Sequence, residues 1–132
     1  MTYVKNGKTY HCTVEATLDV IGGKWKPLIL WHLGDSVMRF GELQKSLHGV
    51  NAKMLTKQLR ELEEDGVIRR TVYPEVPPRV EYAITEFGKT LIPILEALCT
   101  WGAQYLGTQN GKERAADYQC PAKSEKKQKG AA

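Results

Sequence analysis

The chain has 132 residues, 42% apolar and 26% charged, a composition that fits one globular domain and excludes a disordered or fibrous class. No apolar run reaches the ~18 residues of a membrane span, and residues 1–10 are polar, without the apolar stretch of a signal peptide; the expectation is a cytoplasmic protein with no membrane association. The net charge of +4 is concentrated at the C-terminal end, where four Lys and one Glu follow from Lys123 onward, so overall basicity is no argument for nucleic acid and only local charge placement counts.

Residues 1–11 read as a loose N-terminal arm. Thr13 is a candidate cap for a short helix in which Val14, Leu18 and Ile21 recur at helical spacing, stopped by Gly22-Gly23. A second helix starts near Trp25, with Pro27 in its first turn, and ends at Gly34. Leu28, Ile29, Leu30, Trp31 and Leu33 make it apolar on most sides, as in a central core helix. A short strand is expected over 36–39, then a brief helix over 40–47 with Phe40, Leu43 and Leu47 on one face. His48-Gly49-Val50 breaks it. Asn51 then caps a helix predicted over 51–65, closed by Gly66. Its Ala52, Leu55, Leu59 and Leu62 form an apolar stripe, and Lys53, Thr56, Lys57 and Arg60 a separate polar one.

Residues 67–73 are rich in β-formers, Pro74, Pro77 and Pro78 mark a loop, and 79–84 alternate, with Val80, Tyr82 and Ile84 on one face. The two strands pair as a hairpin with a rigid tip. Thr85 is expected to cap a long last helix reaching Leu106 and kinked at Pro93. Phe87, Leu91, Ile94, Leu98, Trp101 and Tyr105 form one apolar row of this helix, and Leu95, Cys99, Gly102 and Leu106 a second. Beyond it, residues 107–132 read as a disordered basic tail, leaving 12–106 as the folded domain.

Two helices joined by a three-residue turn containing Gly, followed by a hairpin, define a winged helix-turn-helix, so the fold class is mainly α with a small β-hairpin (α+β). In that motif the second helix lies in the major groove of duplex DNA. Between residues 39 and 60 five basic side chains, Arg39, Lys45, Lys53, Lys57 and Arg60, accompany one acid, Glu42. Lys and Arg suit phosphates, while Asn51 and Thr56 suit bases or backbone. Arg79, beside the Pro-rich tip, is placed to reach a minor groove or flanking phosphates. Arg69 and Arg70 point to opposite faces of their strand, and one of them is expected to be structural. A basic face is also what any solvated amphipathic helix shows; the order helix, turn, helix, hairpin is what favours DNA.

One apolar row of the last helix covers its own core, and a second implies another covered surface. Leu91, Ile94, Leu95, Leu98, Trp101 and Tyr105 are therefore candidate homodimer contacts, and a two-fold protein matches a palindromic operator. Cys12 lies beside His11 just before a helix N-terminus, which favours a reactive thiolate; an inert small residue is the alternative. Cys99 belongs to an apolar row and Cys120 to the tail. The three cysteines and three histidines lack disulfide-framework or zinc spacing, so no metal or other cofactor is expected. No paired nucleophile and base and no phosphate-cradling glycine loop point to an enzyme.

These residues resemble a known family. Cys12 with Val14-Glu15, Gly22-Gly23-Lys24-Trp25 leading into Leu28-Ile29-Leu30, Arg39-Phe40-Gly41-Glu42-Leu43, Lys53-Met54-Leu55-Thr56 and Leu59-Arg60-Glu61-Leu62-Glu63-Glu64-Asp65-Gly66 follow the pattern of HxlR-type regulators, a branch of MarR-like winged helix-turn-helix proteins. Pro77-Pro78-Arg79-Val80-Glu81-Tyr82, Thr85-Glu86-Phe87-Gly88 and Trp101-Gly102 continue it, so the resemblance covers roughly residues 12 to 105. It implies a homodimeric transcriptional regulator with the helix after Asn51 in the major groove and the Pro-Pro hairpin as wing. It also implies, for some relatives, sensing of electrophiles or oxidants through a cysteine at the position of Cys12; the effector here stays open. The other functional class is a winged-helix protein-interaction module without DNA affinity, to which the acidic run Glu61, Glu63, Glu64 and Asp65 lends some support.

Overall fold

The computed structural model describes residues 1–110. The expected loose arm is instead a hairpin of β1 (Tyr3–Lys5) and β2 (Lys8–Tyr10), in register Tyr3 with Tyr10 and Lys5 with Lys8. Its turn is Asn6-Gly7, both with positive φ (53° and 76°), the backbone that a two-residue hairpin requires and that this residue pair favours. The hairpin is tied to α1 (Thr13–Ile21): the Tyr10 hydroxyl and the Lys8 ammonium donate to Asp19 Oδ2 at 2.7 and 3.0 Å. These two donors, Tyr10 foremost, hold the Asp19 carboxyl below its usual range. The cap of α1 is Cys12 rather than Thr13. Cys12 is extended (φ −152°, ψ 143°) and its Sγ accepts from the Val14 N–H at 3.3 Å, which leaves Thr13 as the first helical residue.

The core is built around α2 (Trp25–Leu33), whose Ile29, Leu30 and Leu33 are fully buried. Pro27 sits in its first turn and Gly34, at φ 48°, follows its end. The expected strand over 36–39 shortens to β3 (Met38–Arg39), because Ser36 is tied back to the end of α2, its N–H and hydroxyl both donating to the Leu33 carbonyl at 2.8 Å; α3 (Phe40–Ser46) begins at the next residue. Glu42 turns the chain there by accepting the Arg39 N–H at 2.8 Å. Leu43, Leu47 and Val50 pack inward, and α4 (Ala52–Glu64) adds Leu55, Leu59 and Leu62. Asn51 caps α4 as expected, its Oδ1 accepting the Met54 N–H at 2.8 Å. Ala52, at the front of the apolar stripe, is exposed.

β4 (Ile68–Tyr73) and β5 (Arg79–Ile84) form an antiparallel hairpin, and β3 pairs with the other edge of β5, giving the order β3-β5-β4. Ile68, Tyr82 and Ile84 face the core. Val67 and Gly66 anchor the next turn: the Thr85 hydroxyl donates to the Gly66 carbonyl at 2.7 Å and accepts the Gly88 N–H at 2.9 Å. This pinning changes the expected last helix. Residues Gly88–Leu91 form one 3-10 turn, and the regular helix, α5 (Ile92–Asn110), starts after it. Pro93 therefore lies in the first turn of α5, where a missing N–H leaves no carbonyl unpaired, and not inside the helix as a kink.

Gly88 is required by this corner. A Cβ at that position would run into the Val67 carbonyl oxygen and approach Ile84 Cγ2 to 2.7 Å. Gly88→Ala is expected to cost about 1–3 kcal/mol, the range for overpacking a filled site. The measurement is the urea midpoint, and an unchanged midpoint would show that the corner relaxes freely.

Candidate nucleic-acid interface

α3 and α4 are joined across Leu47 to Asn51, with Gly49 at φ 94° and Val50 buried at the bend. Leu43 of α3, Leu47 just after it, and Leu55 and Leu59 of α4 fill the space between the pair and α2. Since Leu55, Leu59 and Leu62 must face inward, the helical repeat turns Lys53, Thr56, Lys57 and Arg60 outward, and all four are exposed. Arg39, at the end of β3, is exposed as well.

The two side chains read as base contacts are partly engaged within their own helix. The Asn51 carbonyl oxygen is used by the cap, so its amide N–H groups are what it can offer outward. The Thr56 hydroxyl donates to the Ala52 carbonyl at 2.8 Å, which leaves its oxygen as an acceptor. The acidic run divides by role. Glu61 accepts from Lys26 Nζ of α2 at 2.9 Å, and this contact, with Lys57 and Lys8 adding smaller effects, holds its carboxyl below the usual range. Asp65 is half-buried, and burial raises its carboxyl. Glu63 and Glu64 are exposed.

The wing departs from expectation at Arg79. The register sets Arg79 opposite Tyr73 on one face of the hairpin, and the guanidinium lies over the Tyr73 ring, 4.1 Å from its centroid. Nη2 is 3.4 Å from Glu75 and Nε 3.6 Å from Glu81. Arg79 thus braces the 74–78 loop and spends its charge on two carboxylates instead of extending outward. The strand register supplies the reason: it sets Tyr73 opposite Arg79, and Glu81 lies two residues on along the same strand face. Arg69 and Arg70, one of which is expected to be structural, are both exposed.

α5 is apolar on most of its surface, with Glu96, Thr100 and Gln104 as a polar row, and the domain covers one side of it. Leu95 and Ala103 are buried in the protomer, and Leu91 is half-buried. Leu95, a candidate homodimer contact, is part of the protomer's own core. Ile94, Leu98, Trp101 and Tyr105 stay exposed, Trp101 by 65%, and the Trp101 and Tyr105 rings stack 5.5 Å apart. Leu106, from the second row, is exposed too, as are Val14 and Leu18 of α1. Cys99 is half-buried beside a groove between α2 and α5 lined by Pro27, Leu28, Trp31, Leu95 and Leu98.

Cys12 is exposed at the start of α1, where Glu15 accepts the His11 backbone N–H at 2.9 Å. Cys120 and the tail lysines lie outside the described residues. Among the described residues no group of three or more His, Cys, Asp or Glu is placed to hold a metal ion, and no helix is long and apolar enough to cross a membrane.

A helix-turn-helix whose second helix shows a basic outer face, followed by a two-stranded wing, defines the winged helix-turn-helix class. The model of the HxlR-like helix-turn-helix family matches residues 20–110, and the chain belongs to that family of transcriptional regulators. It is 53% identical over 107 residues to a protein of Methanothermobacter thermautotrophicus named an uncharacterized HTH-type transcriptional regulator, covering 80% of this chain and 82% of the relative. Solved structures of the redox regulator HypR match in two states. The reduced form is 47% identical with a TM-score of 0.71, over 76% of this chain and 99% of that one. The oxidised form is 53% identical with a TM-score of 0.67, over 69% and 94%. A MarR-family regulator from Porphyromonas gingivalis W83 is 34% identical with a TM-score of 0.67, over 76% and 95%. The winged-helix, MarR-like fold expected from the sequence is the fold found.

Proposed function

We propose that this regulator is a cytoplasmic homodimer that binds a palindromic duplex-DNA operator through α4 and responds to oxidants or electrophiles through Cys12. The observation that carries the DNA reading is the division of α4 into a buried Leu55–Leu59–Leu62 side and an exposed side bearing Lys53, Thr56, Lys57 and Arg60. With its N-terminal half in the major groove, α4 presents Lys53, Lys57 and Arg60 to phosphates, and the Asn51 amide and Thr56 oxygen to base edges. Arg39 extends the same basic surface from β3. Arg69 and Arg70 are the wing's exposed cations and take the phosphate role that the sequence had suggested for Arg79.

The dimer reading rests on the uncovered side of α5. Ile94, Leu98, Trp101 and Tyr105 continue one row along the helix, and an apolar row of this length in water favours association. A second copy related by a two-fold axis places two α4 helices for two half-sites.

The thiol reading rests on the position of Cys12 and on HypR, solved in reduced and oxidised forms. Cys12 Sγ is exposed and caps α1, so oxidation or alkylation there also perturbs a helix end. The protein-interaction alternative loses much of its support, because Glu61 is held by Lys26 and Asp65 is half-buried.

Gel shifts with the region upstream of the protein's own gene test DNA binding. Lys53→Ala or Lys57→Ala should weaken binding across sequences and each lower the salt slope by about one; no shift at low salt would favour the protein-interaction module. Trp101→Glu should give a monomer in sedimentation, and a dimer that persists with this charge on α5 places the interface elsewhere. A thiol oxidant should change DNA binding of the wild type but not of Cys12→Ser, since serine keeps the helix cap and lacks the thiol. Equal responses of the two proteins would remove Cys12 as the sensor.

A further inference from the structure

Lys26 is the one charged residue among the buried side chains of the described residues, with 11% of its side chain exposed. Lysine is almost never buried unless paired, because stripping water from an ammonium group is costly. Here it lies on α2, beside the fully buried Ile29, Leu30 and Leu33, and its Nζ reaches Glu61 Oε1 on α4 at 2.9 Å.

The ion pair supplies direction, which the leucines do not. The Leu55, Leu59 and Leu62 contacts are apolar and non-directional, so they decide which side of α4 is buried but add no hydrogen-bond geometry to its roll against α2. Side chains extend about 5–6 Å from a helix axis, so a roll of about 20° moves their tips by about 2 Å. Recognition geometry tolerates about 0.5 Å. Glu61 follows Arg60 directly and lies one turn beyond Lys57, on the flank between the buried stripe and the basic face. Fixing Glu61 therefore fixes where Lys53, Thr56, Lys57 and Arg60 point.

We infer that Lys26 is a positioning residue for DNA recognition, which through the ion pair of its buried ammonium with the partly exposed Glu61 sets the roll of α4 without itself touching DNA. The inference rests on the DNA-binding reading of α4 given above. It assigns a role to an acid that, by charge alone, opposes DNA.

That opposition makes the test decisive. The probes are a duplex enriched by the wild-type protein from a randomised library and a scrambled duplex of the same length. Glu61→Gln removes a negative charge from the DNA-facing helix, so a pure charge effect tightens binding to both duplexes. Positioning predicts about tenfold weaker binding to the enriched duplex, comparable to one mismatched base pair, with binding to the scrambled duplex unchanged or tighter. Lys26→Met, which keeps the apolar stem, should show the same loss of preference, and Lys26→Arg, which keeps the cation, should retain most of it. Glu61→Gln binding the enriched duplex as tightly as wild type, or both duplexes falling together, overturns the inference while leaving the DNA reading intact. A library from which the wild type enriches no sequence overturns the DNA reading and the inference with it.

Discussion

The structure depends on one constraint: α4 must bury Leu55, Leu59 and Leu62 against α2 while keeping its other side in water. Each buried leucine contributes about 1.5–3 kcal/mol, so the stripe outweighs any single polar contact of the helix. Because it recurs at helical spacing, burial of the leucines and exposure of Lys53, Lys57 and Arg60 are one decision. α2 supplies the floor, α3 and the Gly49 bend set the approach, and the Asn51 cap fixes where the helix begins.

Around this helix the acids have structural work. Glu42 accepts the Arg39 N–H and starts α3. Glu61 holds Lys26, and Glu75 and Glu81 flank Arg79 on the wing. These carboxylates are committed to partners within the domain, while Glu63 and Glu64 stay exposed at the C-terminal end of α4, so the basic outer face is its front, from Lys53 to Arg60. Arg79 shows the same logic in reverse. A cation next to a loop tip is a natural candidate for DNA, yet two carboxylates and the Tyr73 ring hold it as a brace.

The outer parts of the molecule carry the apolar surface the core does not use. α5 gives Leu95 and Ala103 to the domain and leaves Ile94, Leu98, Trp101 and Tyr105 uncovered, with Val14 and Leu18 of α1 also exposed. The thiol of Cys12 caps α1, the helix to which Asp19 ties the N-terminal hairpin. The exposed Cys12 and the uncovered row of α5 both lie outside the core cluster that holds the leucine stripe.

Much of the architecture was legible in the residues alone. The helices, the Gly breaks, the Asn51 cap, the wing and the outward set on α4 follow from short-range pattern, because helical periodicity, capping and turn chemistry are local properties. The family followed from the joint order of the motifs. The Asn6-Gly7 turn is also local, but its flanking strands are three residues each and lack the apolar alternation that marks a strand. Other features needed the folded chain. Leu95 and Leu98 are equivalent in composition, and only the placement of α5 on α2 buried one and exposed the other. The 3-10 turn before α5 arose because Thr85 is tied to Gly66 and Gly88 packs on Val67. Arg79 turned inward because the strand register brought Tyr73 and Glu81 to its face. Lys26 and Glu61 are thirty-five positions apart, and nothing local joins them. The sequence by itself determined which faces are apolar and where helices start and stop; the tertiary structure alone decided which charges are spent inside the molecule, because an ion pair forms wherever packing brings two side chains within reach.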